Sequence, residues 1–200
     1  MDLVAPDVHS WSQYSERLKY DLNGFYWRAP DGVVAVDPPD LTEAARERMR
    51  QDGQPTMIVV TNHTHWRATA ALRETSGAAV AMSPIDAGGV PGDVDRVLTP
   101  GEEVPGGWQV LDMAGKTAGE IGLYREEGSG VLLLGDCLIG DPPGELRLLP
   151  AEKIHDRDRL LASLSSIADL RYEVLLVGDG EPIRRGADGR VREFLRDIAV

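Results

Sequence analysis

The residues of this chain best suited to chemistry fall in short polar clusters, most of them directly after an apolar run. Met57-Ile58-Val59-Val60 reads as a strand buried on both faces, and it ends in Thr61-Asn62-His63-Thr64-His65-Trp66-Arg67. Leu132-Leu133-Leu134 ends in Gly135-Asp136, and Leu176-Val177 ends in Gly178-Asp179-Gly180. Between two further strands, Ala114-Gly115-Lys116-Thr117 and Gly119-Glu120 supply a lysine and another carboxylate. His63 and His65 with Asp136 and Asp179 could hold a single divalent ion, and either histidine could instead pass protons or wall a pocket. Lys116 and Arg67 could clamp a carboxylate or a developing oxyanion. Zinc needs donors with a free lone pair, which arginine never offers and lysine offers only when deprotonated, so both residues oppose a metal. If Arg67 and Lys116 converge on Asp136 and Asp179, the formal charges cancel. Two ion pairs then supply the neutralisation that metal ions supply elsewhere.

Each of these residues also has a plain structural role open to it. Asp136 could cap a turn by accepting backbone N–H groups. Glu120, at the start of a strand, reads as a solvated charge, and Cys137 as a small buried apolar residue with no activating partner. Trp27 and Trp66 could line a pocket or pack into the core. Gly88-Gly89-Val90-Pro91-Gly92 lacks a Walker lysine and reads as a turn. No HExxH or GxSxG pattern occurs, which removes sequence support for a zincin or an α/β-hydrolase.

The surrounding pattern must position these clusters. Gly24 to Trp27 and Gly32 to Asp37 resemble a hairpin turning through Ala29-Pro30-Asp31-Gly32. Leu41 to Gln51 is an amphipathic helix between Pro38-Pro39 and Gly53, and Arg67 to Thr75 is another that stops at Gly77 before a strand over Ala79 to Met82. From Arg96 the pattern becomes a meander, with strands over Trp108 to Asp112, Gly119 to Tyr124 and Val131 to Gly135. Helix over Asp156 to Leu170, strand over Val174 to Val177 and helix over Val191 to Ile198 close the chain. Helices outside and strands between predict helix layers enclosing two sheets, in one domain over residues 1–200 with no repeat or linker.

Composition limits the partners. A net charge of −12 with scattered basic residues argues against nucleic acid and anionic lipid, although a few cations in a cleft could still make it locally basic. No apolar stretch is long enough for a membrane span, and Met1-Asp2-Leu3-Val4-Ala5-Pro6-Asp7 does not read as a signal peptide. A single cysteine excludes an intramolecular disulfide. A cytoplasmic location is the expectation.

Taken in order, these segments resemble the motif series of the metallo-β-lactamase superfamily. Gly32 to Pro38 resembles the early strand ending in Asp-Pro, and Thr61 to Arg67 the Thr-His-x-His-x-Asp-His loop. Ala114 to Ile121 is similar to the Pro-Gly-His-Thr segment, Leu132 to Asp136 to the strand ending in Gly-Asp, and Leu176 to Gly180 to the Gly-His-Gly turn. The resemblance implies a four-layer αββα sandwich, and an edge site that in the family binds one or two metal ions, usually zinc, to activate water for hydrolysis. Position by position, Asn62, Thr64, Trp66, Arg67, Lys116 and Asp179 stand where the family has metal ligands, and Asp136 alone is retained.

The sequence therefore predicts a hydrolase-like protein with a degenerate site that acts on or binds a small metabolite, anionic ones included. Asp136, Lys116, His65, Arg67 and Asp179 are its catalytic candidates; Asn62, His63, Trp66 and Glu120 are its ligand-binding candidates. No cofactor is expected. Two alternatives stay open: a non-catalytic binder of a ligand or protein, and a hydrolase with a single zinc, iron or manganese ion on His63, His65, Asp136 and Asp179. A homo-oligomer is compatible with either.

Overall fold

The computed structural model describes residues 1–198. Strand β1 (Asp2–Ala5) and the polar strand β2 (Val8–Ser15) open the chain, ahead of β3 (Tyr20–Ala29) and β4 (Gly32–Val36). The first two strands were not expected from the sequence, because β2 reads Val-His-Ser-Trp-Ser-Gln-Tyr-Ser and loses its burial after Trp11. It becomes a strand by pairing along its whole length with β3. The N-terminal end is thus sheet.

Thr42 caps helix α1 (Glu43–Asp52) by accepting from the Ala45 amide at 3.1 Å, so the helix starts two residues later than its apolar pattern suggests. Strand β5 (Met57–Val60) leads through a 3₁₀ turn at His63–His65 to α2 (Thr69–Ser76), which ends on the left-handed Gly77. Then follow β6 (Ala79–Met82), the short α3 (Pro84–Ala87), and β7 (Arg96–Val97). Strands β8 (Glu103–Val104), β9 (Trp108–Asp112), β10 (Ile121–Arg125) and β11 (Val131–Leu134) form the expected meander. Helix α4 (Arg157–Ser166), strand β12 (Val174–Val177) and helix α5 (Ala187–Ile198) complete the described chain.

The strands form two sheets, a seven-stranded one in the order β1 to β7 and a five-stranded one in the order β12-β11-β10-β9-β8. Side chains on a strand alternate between faces, and the burial divides accordingly. Met57 and Val59 of β5, Val131 and Leu133 of β11, and Val174 and Leu176 of β12 fill one cluster between the sheets. Their neighbours Ile58 and Val60 face Ala45, Met49 and Leu72 of α1 and α2. Leu132, Leu134, Leu175 and Val177 face Leu160, Leu164 and Val191 of α4 and α5. This is the four-layer αββα sandwich. Trp27 and Trp108 tie its sheets together, stacked at 4.8 Å between centroids, and the Trp27 indole donates to Pro105 O at 2.8 Å.

Every candidate cluster lies just beyond a strand end on one edge of the sandwich. Gly115 shows how tightly that edge is packed. Its φ is +143°, and a Cβ there would lie 2.3 Å from the backbone N and Cα of Leu160 in α4. Gly115→Ala should therefore lift α4 and displace Lys116, costing about 3 kcal/mol or more in denaturant unfolding. A melt within error of the parent would contradict this packing.

Candidate active site

Asp37, the residue after β4, anchors the edge. It is fully buried with a positive φ of 46°, and it accepts from the Thr61 amide at 2.8 Å and the Thr61 hydroxyl at 2.6 Å. Its Oδ2 lies 2.8 Å from His65 Nδ1. On the other side of the ring, His65 Nε2 is 3.0 Å from Asp136 Oδ1 and 3.9 Å from Asp179 Oδ1. Burial works against an imidazolium here and so does Arg67, yet Asp136 and Asp37 outweigh them and push the ring up to about 10. With 3% of its side chain exposed and both nitrogens facing charged partners, His65 has no free nitrogen to offer a substrate proton.

The expected pairings between opposite charges are present. Arg67 Nη2 donates to Asp179 Oδ1 at 2.6 Å, and Lys116 Nζ lies 2.5 Å from Asp136 Oδ2. Arg67 itself has a positive φ of 39°, and it also donates to Asn23 O at 2.9 Å, Asp37 O at 3.2 Å and Gly178 O at 3.3 Å. Lys116 donates in addition to Thr64 Oγ1 at 2.5 Å. Burial raises both aspartates, but His65 and Lys116 hold Asp136 well below the usual carboxylate range, while Asp179 stays raised. Three carboxylates (Asp37, Asp136, Asp179) thus face three cations (His65, Arg67, Lys116) in a buried cluster.

Other candidates are placed differently from expectation. Glu120 is not solvated: it is 1% exposed, and its Oε1 accepts from the amides of Asp136 at 2.5 Å and Cys137 at 2.9 Å. Burial and then Asp136 raise it to about 8, so it is a neutral acid that shapes the Asp136 turn. Trp66 does not face the pocket; it packs with Trp11, Tyr26 and Leu72 under the helices of the seven-stranded sheet. Asn62 is fully buried and accepts from the Thr64 amide at 3.0 Å, which fixes the 3₁₀ turn. His63 lies away from His65, with its Nδ1 3.3 Å from Asp86 Oδ2, so the four-residue metal set is not assembled.

Three of that set, His65, Asp136 and Asp179, do offer ligand atoms within 4.8 Å of one another, and Asp136 Oδ1 has no well-directed hydrogen bond among the described residues. Against a divalent ion stands Arg67, whose Nη2 is 2.6 Å from Asp179 Oδ1 and 3.0 Å from His65 Nε2. An ion ligated at about 2.1 Å by those same atoms would press on a guanidinium, so the site as arranged does not fit one. Sequence reasoning also missed residues that complete the pocket: Arg17 and Lys153 at its rim, and Leu18, Tyr20, Leu22 and Leu149 on its wall. Nothing local marks them, since the segments that carry them meet only in the folded chain. The cavity they share with Thr64, His65, Arg67, Lys116, Asp136 and Asp179 measures about 510 Å³.

A four-layer sandwich with its polar residues gathered at one edge defines a hydrolase-like class, and the comparisons agree. A family model described as metallo-beta-lactamase superfamily matches residues 1–198, and the chain belongs to that superfamily. It is 33% identical over 119 residues to a hydroxyacylglutathione hydrolase of Cereibacter sphaeroides; the match covers 57% of this chain and 46% of that protein, under half its length. Among solved structures it is similar to TTHA1623 in a di-iron-bound form, with a TM-score of 0.72, 24% identity, and coverage of 92% of this chain and 99% of that one. A beta-lactamase domain protein from Burkholderia ambifaria gives a TM-score of 0.74 at 19% identity, over 98% of this chain and 75% of the other. Among the described residues, no helix is long and apolar enough to cross a membrane.

Two measurements probe the cluster. Lys116→Ala leaves Asp136 buried without its lysine and should cost roughly 3–5 kcal/mol in denaturant unfolding. Glu120 binds its proton more tightly folded than unfolded, so its contribution is full below 4.5 and lost as pH rises through about 8. His65, raised from 6.5 to about 10, loses its contribution in the same direction at higher pH. Stability should accordingly fall as pH rises from about 4.5 toward 10, and Glu120→Gln, which keeps the Oε1 acceptor, should flatten the part of that fall between 4.5 and about 8.

Proposed function

We propose that this protein binds a small anionic metabolite in a metal-free edge pocket, where Arg67 and Lys116 supply the charge compensation that ions supply in metal-dependent relatives. The observation that carries this reading is the pair of contacts Arg67–Asp179 and Lys116–Asp136, both buried at the metal edge of the fold. With those cations committed to carboxylates, Arg17 and Lys153 at the rim remain to attract an anion into the cleft. Leu18, Tyr20, Leu22 and Leu149 give it a short apolar wall. A hydroxyacyl conjugate, the class named by the Cereibacter relative, has such a combination of acyl chain and charge; the likeness supports the substrate class alone.

Calorimetric titration with succinate tests the reading. One equivalent should bind, and Arg17→Gln with Lys153→Gln should weaken it roughly tenfold, equal to ~1.4 kcal/mol. Elemental analysis of protein expressed with added zinc, iron and manganese should find substoichiometric metal. A full equivalent of any of the three per chain overturns the metal-free site.

A further inference from the structure

A second chamber opens beside the first. It measures about 450 Å³, and its lining includes His63, Thr64, Asp86, Lys116, Lys153 and His155. Thr64, Lys116 and Lys153 line both chambers, so the two adjoin at those side chains. His63 differs sharply from the enclosed His65: its side chain is 39% exposed, and it has a carboxylate on one nitrogen only.

Asp86, in α3, is built to hold that ring. It is 3% exposed, and it accepts from the His63 amide at 3.0 Å, the Thr117 hydroxyl at 2.7 Å and the Gly119 amide at 2.9 Å. These donors fix the direction of the carboxylate. Its Oδ2 lies 3.3 Å from His63 Nδ1, a separation that favours the tautomer with its proton on Nδ1 and the Nε2 lone pair open. Gly89 seats the ring from behind, since a Cβ there would come within 3.1 Å of His63 Cβ and Cγ. On the wall shared by the two chambers, Lys116 has three N–H donors, two of them taken by Asp136 and Thr64, and the third remains for a ligand oxygen.

We propose that His63, oriented by Asp86, is the general base of a metal-independent hydrolysis of short anionic esters or thioesters. The inference rests on the anion-binding reading above and adds turnover to it. The acid end of the substrate lies toward Arg17 and Lys153, and its carbonyl lies by Lys116. Nε2 takes a proton from water as the water oxygen forms its bond to the carbonyl carbon, and the carbonyl electron pair moves onto the oxygen facing Lys116. Collapse breaks the carbon–sulfur or carbon–oxygen ester bond. The imidazolium returns its proton to the departing thiolate or alkoxide, so that water and substrate give an acid and a thiol or alcohol. Asp86 touches no reacting atom and is a positioning residue.

The probe is mono-p-nitrophenyl succinate, with nitrophenolate release measured for the parent protein and for His63→Gln, His63→Ala, Asp86→Asn and the distant His9→Gln. The expected results are a kcat lowered about 10²–10⁴-fold in His63→Gln with KM unchanged, partial recovery of His63→Ala by added imidazole, and an unaltered His9→Gln. Asp86→Asn should lower kcat in the same sense, again without a change in KM. A solvent deuterium effect on kcat in the parent should disappear in His63→Gln. Equal kcat in the parent and His63→Gln, or a parent no faster than buffer, overturns the proposal. Succinate titration separates the two failures: binding without turnover removes the base and leaves the anion pocket standing, whereas loss of succinate binding by the parent removes the pocket reading itself.

Discussion

The edge of the sandwich depends on neutralising buried carboxylates. Asp37, Asp136 and Asp179 are each at most 5% exposed, and isolated charges cannot be buried that deeply without large cost. In this chain His65, Arg67 and Lys116 meet that cost with side chains that are themselves held by backbone carbonyls and hydroxyls. The loops after β4, β5, β11 and β12 consequently have to converge, because each contributes one or more members of the cluster. Glu120 adds no further negative charge while protonated, and it still supplies the acceptor that fixes the turn at Asp136.

Much of this architecture could be read from the chain. Strands β5, β6 and β12 fall at the residues their apolar runs indicate, since a strand packed on both faces needs an unbroken hydrophobic stretch. Strands β1 and β2 could not be read in this way, because β2 is held by its neighbour β3 and not by burial of its own pattern. The pairing of Arg67 and Lys116 with two aspartates followed from opposite charges at positions that the family motifs bring together. Glu120 escaped because its partners are the amides of residues 136 and 137, remote in sequence from its own strand.

The two histidines show a more specific limit. A His-x-His spelling suggests ligands on one side, as it would on an extended strand with a two-residue repeat. The 3₁₀ turn over His63–His65 has three residues per turn, so side chains two apart diverge. One ring is sealed among charges, and the other faces a chamber. Only the backbone conformation separates these outcomes, and it depends on Asn62 capping the turn and Asp86 receiving the His63 amide.

Arg67 also acts mechanically. Through Asn23 O, Asp37 O, Gly178 O and Asp179 it joins the seven-stranded sheet to the end of β12 in the five-stranded one. A covalently attached side chain thus fastens the open end of the sandwich, and assembly of that end does not wait on the supply of an ion. The same fastening makes an evolutionary return to an ion-dependent centre difficult. Exchange of Arg67 for a histidine would remove this tie and strand Asp179 before any ligand set was complete, so several substitutions would have to arrive together.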